Sequence, residues 1–400
     1  MSLARNPQVA ELKPASGVSG AEGKAGAESK PPFRFYDNRQ KYLAFVNTCN
    51  EKSAVARRAA QELSHLRPSP PALRIFDAGM GDATVLSRLM RSTHHAFPNV
   101  PLLVVAKEIS LEDVRLGLEK MPDRFFEHPS TVLVITNLNY AEAPRLMPRD
   151  VQSAAALNWQ EVRLTGNSAS EYSEQIEDLH QMLDYGWQTK PSPKTGNPVY
   201  ARPTVLVVYR DDHKFLLESV IPKPGRIFES YDLILASQPW RARMSAEFKA
   251  QKVLAPLALS LAPGGRMLVI QSYGRDPALE IVQKVWPGEN PFAVDRHQLI
   301  AALRTELGRD ARDFTFSSYP DEKAVLRYDM HTLPSEISDR IGTSTLYAAW
   351  NAAIYVNQIE DERLNPSNNS AYLDATQAVL KEHGGLWFND ETFTVSRRRP

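Results

Sequence analysis

Two glycines and two carboxylates lie close together just after an apolar stretch of the chain. Residues 74–84 read RIFDAGMGDAT, which places Gly79 and Gly81 in a turn between a strand and a helix. Because glycine has no Cβ, a ligand can approach the backbone at such a turn. The carboxylates of Asp77 and Asp82 would repel a diphosphate and attract an ammonium or sulfonium group. The turn therefore predicts a site for a cationic small molecule.

Thr84 makes this turn less suitable for a dinucleotide. The dinucleotide-binding fingerprint has a third glycine or an alanine at the start of the helix, and Thr84 occupies that place. The sequence therefore disfavours a nicotinamide cofactor. An ordinary strand-to-helix turn without a ligand remains the alternative, because a Gly-x-Gly pair alone is a weak signal.

Glu108 follows the second apolar stretch of the chain. A carboxylate at this point can accept hydrogen bonds from both hydroxyls of a ribose. Glu108 lies 27 residues beyond Gly81, against about 20 in the usual fingerprint, and the surplus falls in the loop 94–101. The alternative is a carboxylate that interacts with the start of the helix from Leu111.

The elements that hold these residues alternate between strands and helices. Five continuous apolar stretches are typical of strands buried on both faces: Leu73–Ala78, Leu102–Ala106, Thr131–Thr136, Tyr231–Ser237 and Arg266–Ser272. Helical patterns separate most of them: Thr84–Met90, Leu111–Lys120, Ala246–Leu261 and Asp276–Trp286. This order predicts an α/β fold with a largely parallel sheet covered by helices on both faces.

The stretch 141–229, between the third and fourth strands, is too long for a simple connection and is predicted to be an insertion. It is predicted to contain a helix at Ser170–Tyr185 and a surface loop at Lys190–Pro203. A β-hairpin is predicted from two strands, Thr204–Tyr209 and Phe215–Ile221. Together with the first helix and the C-terminal helices, this insertion is expected to form a lid over a substrate. Aromatic side chains in these parts are candidates for the lining: Tyr42, Trp159, Tyr172, Trp187, Tyr347, Trp350 and Tyr355.

The N-terminal stretch of the chain is predicted to be disordered, whereas the C-terminal stretch is predicted to be folded. Residues 1–33 have few large apolar groups and are expected to be a disordered tail, ahead of the main domain at 34–330. A helix capped by Asp37 is predicted to extend to Leu63. Residues 331–400 are expected to be an extension. From residue 295 onward, helices are predicted at Asp295–Leu307, Leu333–Ile359 and Ala371–His383. An edge hairpin is predicted at Asp313–Ser317 with Ala324–Tyr328, and a last strand at Glu391–Ser396.

Composition excludes several classes of protein. The 47 basic and 47 acidic residues give a formal charge of zero, so nucleic-acid binding is not expected. The single cysteine, Cys49, excludes an intramolecular disulfide and a cysteine-rich zinc site, and no metal site is predicted. No apolar run is long enough for a membrane span, and no secretory signal is found. We therefore expect a cytoplasmic protein with a small-molecule substrate and no membrane partner; its oligomeric state is left open.

Four segments resemble the class I, Rossmann-like S-adenosylmethionine-dependent methyltransferases. They read FDAGMG at 76–81, VAKE at 105–108, YDLILASQPW at 231–240 and LAPGGRMLVI at 261–270. The resemblance covers Leu73–Tyr140 and Ser230–Val285. It implies a doubly wound, mostly parallel sheet of seven strands with an antiparallel edge strand, and S-adenosylmethionine as the cofactor.

The resemblance also assigns roles to residues on the cofactor side. It implies that Asp77, Gly79 and Gly81 line the methionine and ribose part of the cofactor and that Glu108 holds the ribose. Asp82 is a cofactor-binding candidate because of its negative charge. A polar residue after the third strand contacts adenine in this family. The candidates are Asn137 and Asn139, and either could instead cap the end of the strand.

The tip of the fourth strand would lie beside the transferable methyl group, which makes Ser237, Gln238 and Trp240 the catalytic candidates. The tip resembles the Asn/Asp-Pro-Pro-Tyr motif of amino-group methyltransferases, but Ser237 and Gln238 replace its first two residues. Trp240 has an alternative role as a core aromatic. Three histidines are possible bases, although a lone histidine is more often structural: His213, His297 and His331.

These observations predict a methyltransferase that acts on a small or medium-sized organic acceptor by N- or O-methylation. Methyl transfer is an in-line displacement, so such an enzyme needs mainly proximity and alignment. Two alternatives stay open: a non-catalytic protein that binds S-adenosylmethionine or S-adenosylhomocysteine, and another transferase on the same fold. Formation of S-adenosylhomocysteine from a mixed metabolite pool separates them.

Overall fold

The computed structural model describes residues 39–192, 198–226, 230–332, 334–337, 340–364 and 371–399. The predicted tail 1–33 and the predicted helix cap Asp37 lie outside these residues. In the described part of the chain, no helix is both long and apolar enough to cross a membrane.

Twelve strands occur in the described residues. In chain order, β1 to β12 are Leu73–Asp77, Leu102–Lys107, Thr131–Thr136, Asn158–Leu164, Thr189–Pro191, Pro198–Tyr200, Thr204–Arg210, Tyr231–Ser237, Leu261–Ser272, Phe314–Ser317, Val325–Asp329 and Trp387–Arg397. The five strands predicted from continuous apolar stretches are all present, as β1, β2, β3, β8 and β9.

The main sheet has the order β10-β12-β9-β8-β1-β2-β3-β7-β4, and β11 pairs with β12. The strands β3, β2, β1, β8 and β9 are parallel, and β12 is antiparallel to both β9 and β10. The chain winds from β1 toward β3 and then resumes at β8 on the other side of β1. Such a reversal opens a crevice at the carboxyl ends of the strands, which is where ligands bind in doubly wound folds.

Seven of these strands, from β10 to β3, are the predicted mostly parallel sheet, and the fold class is confirmed. Two strands were not expected in the main sheet, β4 and β7 from the insertion. The antiparallel strand β12 also lies inside the sheet, because β10 covers its outer side. The stretch 331–400, expected as an extension, thus contributes a strand to the main sheet.

Sixteen α-helices accompany the strands in the described residues. In chain order, α1 to α16 are Arg39–Thr48, Glu51–Glu62, Thr84–Ala96, Leu111–Leu118, Pro122–Glu127, Val151–Ala155, Ala169–Glu177, His180–Gly186, Lys214–Leu217, Ala246–Lys249, Ala255–Leu259, Pro277–Val285, Arg296–Leu307, Asp321–Ala324, Thr343–Val356 and Ala371–His383. A π-helical turn, Ala250–Leu254, joins α10 to α11.

Helices cover both faces of the sheet because the side chains of its buried strands alternate between two cores. Phe76 and Val105 belong to the core that contains residues of α11 and α13. Ile75 and Val104 belong to the core that contains residues of α2, α3 and α4. A third cluster joins α1 to the later helices α12, α15 and α16.

Four local predictions are wrong. The single helix predicted at Ser170–Tyr185 is two helices, α7 and α8. The first predicted helix is two helices, because the chain breaks at Cys49, which forms a β-bridge with Met330. The segment Phe215–Ile221 is not a strand: it begins within α9, and β7 pairs with β3 and β4 instead. The insertion does contain an antiparallel strand pair, but it is β5 with β6, inside the predicted surface loop. Finally, β10 and β11 do not pair with each other as the expected edge hairpin; each pairs with β12.

Candidate functional site

A cavity of about 1060 Å³ lies where β1, β2 and β8 end. Its lining combines the glycine turn, the residues after β2 and the tip of β8 with side chains from α1, α2, α15 and the segment between β8 and β9. This volume is at the upper end of the range for small-molecule sites, about 300–1000 Å³. The cavity therefore has room for a cofactor and a small second ligand.

The glycine turn forms the floor of this cavity. Gly81 has a φ of +52°, and a Cβ there would lie 3.3 Å from the Tyr42 hydroxyl. A Cβ on Gly79 would meet nothing within 4 Å, so this glycine leaves open space beside the backbone. The Gly79 N–H donates to the carboxylate of Asp77 at 3.1 Å. Both glycines and Asp77 line the cavity, as predicted.

Asp77 is 2% exposed, and burial raises the pKa of its carboxyl to about 7. The hydrogen bond from Gly79 opposes this shift, and the charge of Glu108 adds to it. A carboxylate in this state lacks a full set of partners for its negative charge. A cationic ligand in the cavity would supply one.

Glu108 holds the start of α4 and the glycine turn together. Its Oε1 accepts hydrogen bonds from the N–H groups of Ile109 and Ser110 at 2.6 and 2.8 Å, and its Oε2 accepts one from Gly81 at 2.7 Å. A carboxylate offers about four lone-pair sites. The remaining site, on Oε2, is available to one hydroxyl of a ligand, whereas the prediction from the sequence had Glu108 accept from two.

Asp82 and Asn137 lie outside the lining of the cavity, among the described residues. The carboxylate of Asp82 accepts hydrogen bonds from the N–H and the hydroxyl of Thr84, at the start of α3, and pairs with Lys120. The Asn137 amide donates to the carbonyl oxygens of Gly186 and Arg202 and accepts from the Thr204 N–H. These contacts tie both side chains to the surrounding backbone.

Asn139 is the other residue predicted to contact adenine, and it does line the cavity. It is exposed, and its side chain forms a local turn: Oδ1 accepts from the Ala141 N–H at 2.9 Å, and the amide donates to Glu142. Its adenine role stays a prediction.

The tip of β8 also reaches the cavity, and Ser237, Gln238 and Trp240 all contribute to the lining. Gln238 has a φ of +49°, and its side-chain amide is already hydrogen-bonded: it donates to Asp390 at 3.1 Å and accepts from the Ser272 hydroxyl at 3.1 Å. Trp240 is 9% exposed and belongs to the core beneath α11. Gln238 thus shapes the tip, and Ser237 and Trp240 present their side chains beside it.

Aromatic side chains from α1 and α15 form one wall of the cavity. Tyr42 and Phe45 of α1 pack against Tyr355 of α15, with ring centroids 6.0 and 4.9 Å apart. We call these three residues the aromatic roof. Of the seven aromatics suggested as a lining, Tyr42 and Tyr355 are the two found there. The insertion contributes two residues to the lining, Ala141 and Arg149.

Lys52 brings a positive charge to the cavity beneath the aromatic roof. Its ammonium lies 5.4 Å from the Tyr42 ring centroid and 3.7 Å from the Glu51 carboxylate. Burial opposes the charge, but the carboxylates of Glu51 and Asp82 contribute to a net rise in the pKa of Lys52. The sequence assigned no role to Lys52, because the surrounding residues, EKS at 51–53, resemble an exposed helical surface.

Lys107 and Tyr140 are two further lining residues that received no role from the sequence. Lys107 is the last residue of β2, and its ammonium lies 4.7 Å from the Tyr140 ring centroid. The Tyr140 hydroxyl donates to the carbonyl oxygen of Pro239 at 2.9 Å. A lysine that ends an otherwise apolar, fully buried strand was the available signal.

The suggested bases and a cluster of ligand-type side chains lie outside the lining. His213, His297 and His331 do not line the cavity in the described part of the chain. Glu280, Glu382 and His383 bring three ligand-type atoms within 4.8 Å of one another on α12 and α16. His383 already bonds Glu280 at 2.8 Å, and Lys284 lies 3.3 Å from the same carboxylate. These partners account for the cluster without a metal.

The chain matches no protein-family model and no curated protein. Among solved structures it is similar to a geranyl diphosphate methyltransferase in complex with GPP and sinefungin, with 11% identity over 86% of this chain and 78% of that chain and a TM-score of 0.31. YjhP from E. coli has 12% identity over 91% and 96%, with a TM-score of 0.33. A putative sarcosine dimethylglycine methyltransferase from Galdieria sulphuraria has 9% identity over 87% and 85%, with a TM-score of 0.30.

These likenesses are remote, and the fold rests on the sheet itself. The strand order β3-β2-β1-β8-β9-β12-β10, with β12 the one reversed strand of the seven, matches what the sequence motifs imply. The glycine turn follows β1, and Glu108 follows β2. The chain has a doubly wound, Rossmann-like α/β fold.

Proposed function

We propose that this protein is an S-adenosylmethionine-dependent methyltransferase that acts on a small or medium-sized organic acceptor. The observation that carries the proposal is the position of the cavity. It joins the glycine turn and Glu108 on one side to the tip of β8 on the other, at the point where the strand order reverses.

The charges of the cavity suit this cofactor. S-adenosylmethionine carries a sulfonium, an ammonium and a carboxylate. Asp77 and Glu51 offer negative charge on the floor and under the aromatic roof, and Lys52 offers a cation for the carboxylate. The remaining lone pair of Glu108 accepts one ribose hydroxyl, and Gly79 leaves space for a ligand against the backbone. The residues therefore fit the group.

A dinucleotide fits less well. Its pyrophosphate would bind at the start of the helix after the glycine turn. In this chain the first N–H of α3, that of Thr84, already donates to the Asp82 carboxylate at 3.2 Å. A diphosphate would have to displace that carboxylate and approach it closely, which costs electrostatic energy.

The role of the protein in methyl transfer would be alignment. The bound cofactor supplies a methyl group on a sulfonium, which already has a good leaving group. The chain's own residues would hold the acceptor in line beside Ser237 and Trp240, and the aromatic roof would exclude water. Among the described residues, no histidine lines the cavity, so the acceptor would react without a histidine base.

Calorimetric titration of the protein with S-adenosylmethionine, S-adenosylhomocysteine and NAD tests the cofactor. We expect tight binding of the first two, lost in Asp77→Ala and Glu108→Ala and kept in the exposed control Asp123→Ala. No binding of either, or a preference for NAD, would overturn the proposal. Turnover is then tested by S-adenosylhomocysteine formation with a mixed metabolite pool. Binding without turnover in every pool would favour the non-catalytic alternative.

A further inference from the structure

Lys107 and Glu108 are neighbours in the chain, but the alternation of β2 separates them. Leu103 and Val105 belong to the core beneath α11, and Lys107 continues that series on the same face. Ala106 belongs to the opposite core, toward which Glu108 turns to meet the glycine turn. Lys107 thus lies on the face that carries Tyr140, not on the face that holds the predicted ribose site.

The ammonium of Lys107 is buried against the cavity. The residue is 6% exposed, and within the described chain its ammonium has no hydrogen bond or ion pair. Its contact with the Tyr140 ring offsets only part of the cost of burying an ion. Burial lowers the pKa of Lys107 to about 8, although the negative charge of Glu108 opposes this shift. At neutral pH the group is still mostly charged and lacks an anion.

The surroundings of Lys107 connect it to the place of methyl transfer. The hydrogen bond from Tyr140 to Pro239 fixes the aromatic ring between Lys107 and the tip of β8. Arg149 lines the same cavity and adds a further cation. Beyond the tip, the lining includes the apolar side chains of Trp240, Met244 and Phe248, next to the polar side chains of Arg241, Gln251 and Lys252. Phe248 is 44% exposed, so this apolar surface continues outward from the cavity.

We propose that the acceptor carries an anionic oxygen group, a carboxylate or a phosphate, which binds Lys107 in the cavity that Arg149 also lines, and an apolar part that lies against Trp240, Met244 and Phe248. The inference rests on the proposed function, because it assigns the acceptor side of the same cavity. The anion would supply the partner that the Lys107 ammonium lacks, and the apolar part would place the rest of the acceptor along the tip of β8.

The test is a set of calorimetric titrations with probes that share an eight-carbon chain and differ in the head group: octanoate, octyl phosphate, octanamide and octylamine. Each probe is titrated into the full chain, with and without S-adenosylhomocysteine. We expect octanoate or octyl phosphate to bind at least tenfold more tightly than octanamide, and octylamine to bind most weakly. Which of the two anions binds better tells a carboxylate acceptor from a phosphate acceptor.

Lys107→Met is the matching variant, because methionine matches the lysine side chain as far as Cε and removes the charged nitrogen. We expect it to remove the preference for the anions while Lys381→Met, an exposed control, keeps it. Since the variant removes a buried charge, its melting temperature should not fall. Arg149→Gln gives a second measurement on an exposed residue and should reduce the preference only in part.

The outcomes separate this proposal from the proposed function. If S-adenosylhomocysteine does not bind, but the probes still show an anion preference that depends on Lys107, the methyltransferase proposal is overturned and the anion site remains. Equal binding of octanoate, octyl phosphate and octanamide, or binding of none of them, would overturn the anion site. A third outcome would also overturn the anion site: the melting temperature of Lys107→Met falls sharply, and Arg149→Gln keeps the full preference for the anions. Lys107 would then have a structural role.

Discussion

The carboxylate of Glu108 accepts a hydrogen bond from the Gly81 N–H at 2.7 Å, and this contact joins the end of β2 to the turn after β1. The two residues that the sequence assigned separately to a cofactor therefore form one unit. A change in either one alters the position of the other.

Replacement of Glu108 by Gln tests this unit. The amide nitrogen of Gln is a donor, so one end of the side chain would lose its bonds to the backbone N–H groups. A hydrogen bond to a charged group contributes about 1.5–3 kcal/mol, and we expect the affinity for S-adenosylmethionine to fall roughly 10- to 100-fold. Calorimetry measures the loss, with the exposed Glu119→Gln as the control. Unchanged affinity in Glu108→Gln would contradict the assigned role.

Gly79 and Gly81 should respond differently to alanine. A Cβ at Gly79 meets nothing, so Gly79→Ala should keep its melting temperature and still lose cofactor affinity, because the methyl group fills the space for the ligand. Gly81→Ala should lose both, because its φ is +52° and the Cβ would press on the Tyr42 hydroxyl. Thermal melting and calorimetry on both variants give the comparison. Full affinity in Gly79→Ala would show that no ligand approaches there.

Asp77→Asn should stabilise the protein and abolish cofactor binding. The folded pKa of Asp77, about 7, lies above its usual value of 3.8. This carboxyl therefore stabilises the folded state most below about pH 4, and the contribution is lost as the pH rises to 7. One pKa unit corresponds to 1.36 kcal/mol, so the gain in the variant should reach a few kcal/mol above pH 7.

Melting temperatures of wild type and Asp77→Asn at pH 4, 6 and 8 check this sign. The difference in favour of the variant should grow from pH 4 to 8. A constant difference would mean that Asp77 is ionised in the folded protein at all three values. The same pH series on Asp123→Asn, an exposed position, is the control.

Asn137→Ala should affect stability and not the cofactor. Its amide bonds three backbone groups, of Gly186, Arg202 and Thr204, and the residue lies outside the cavity lining. Buried polar groups left without partners cost about 1–3 kcal/mol each, so a drop of several degrees in melting temperature is expected. A specific loss of S-adenosylmethionine affinity without a drop in melting temperature would restore the adenine role.

The central strands could be predicted because their apolar residues are continuous. Thr131–Thr136 and Tyr231–Ser237 match the structure residue for residue, since strands buried on both faces carry few polar side chains. β4 was missed because its sequence NWQEVRL mixes polar and apolar residues, and its side chains are mostly half-buried or exposed. Exposed Phe215 and buried Leu217 belong to one helical turn, although their apolar run resembled a strand.

The site could be predicted where chemistry depends on neighbours in sequence. The glycine turn and Glu108 carry their own signal, and both line the cavity. The hydrogen bonds of the Gln238 side chain could not be predicted from the sequence. Its amide bonds Ser272 and Asp390, and Asp390 lies on a strand more than a hundred residues away. The position of Lys107 likewise depends on Tyr140 and on which face of the sheet it occupies.

The aromatic roof has a consequence for synthesis. Tyr42 belongs to the first described helix, and its partner Tyr355 lies in α15, so the roof joins early and late parts of the chain. On the ribosome, the glycine turn and Glu108 leave the exit tunnel long before Tyr355 is made. A growing chain therefore holds the floor of the cavity without its cover. Only a chain that has been synthesised through α15 can cover the cavity, so a ligand cannot be enclosed before Tyr355 is made.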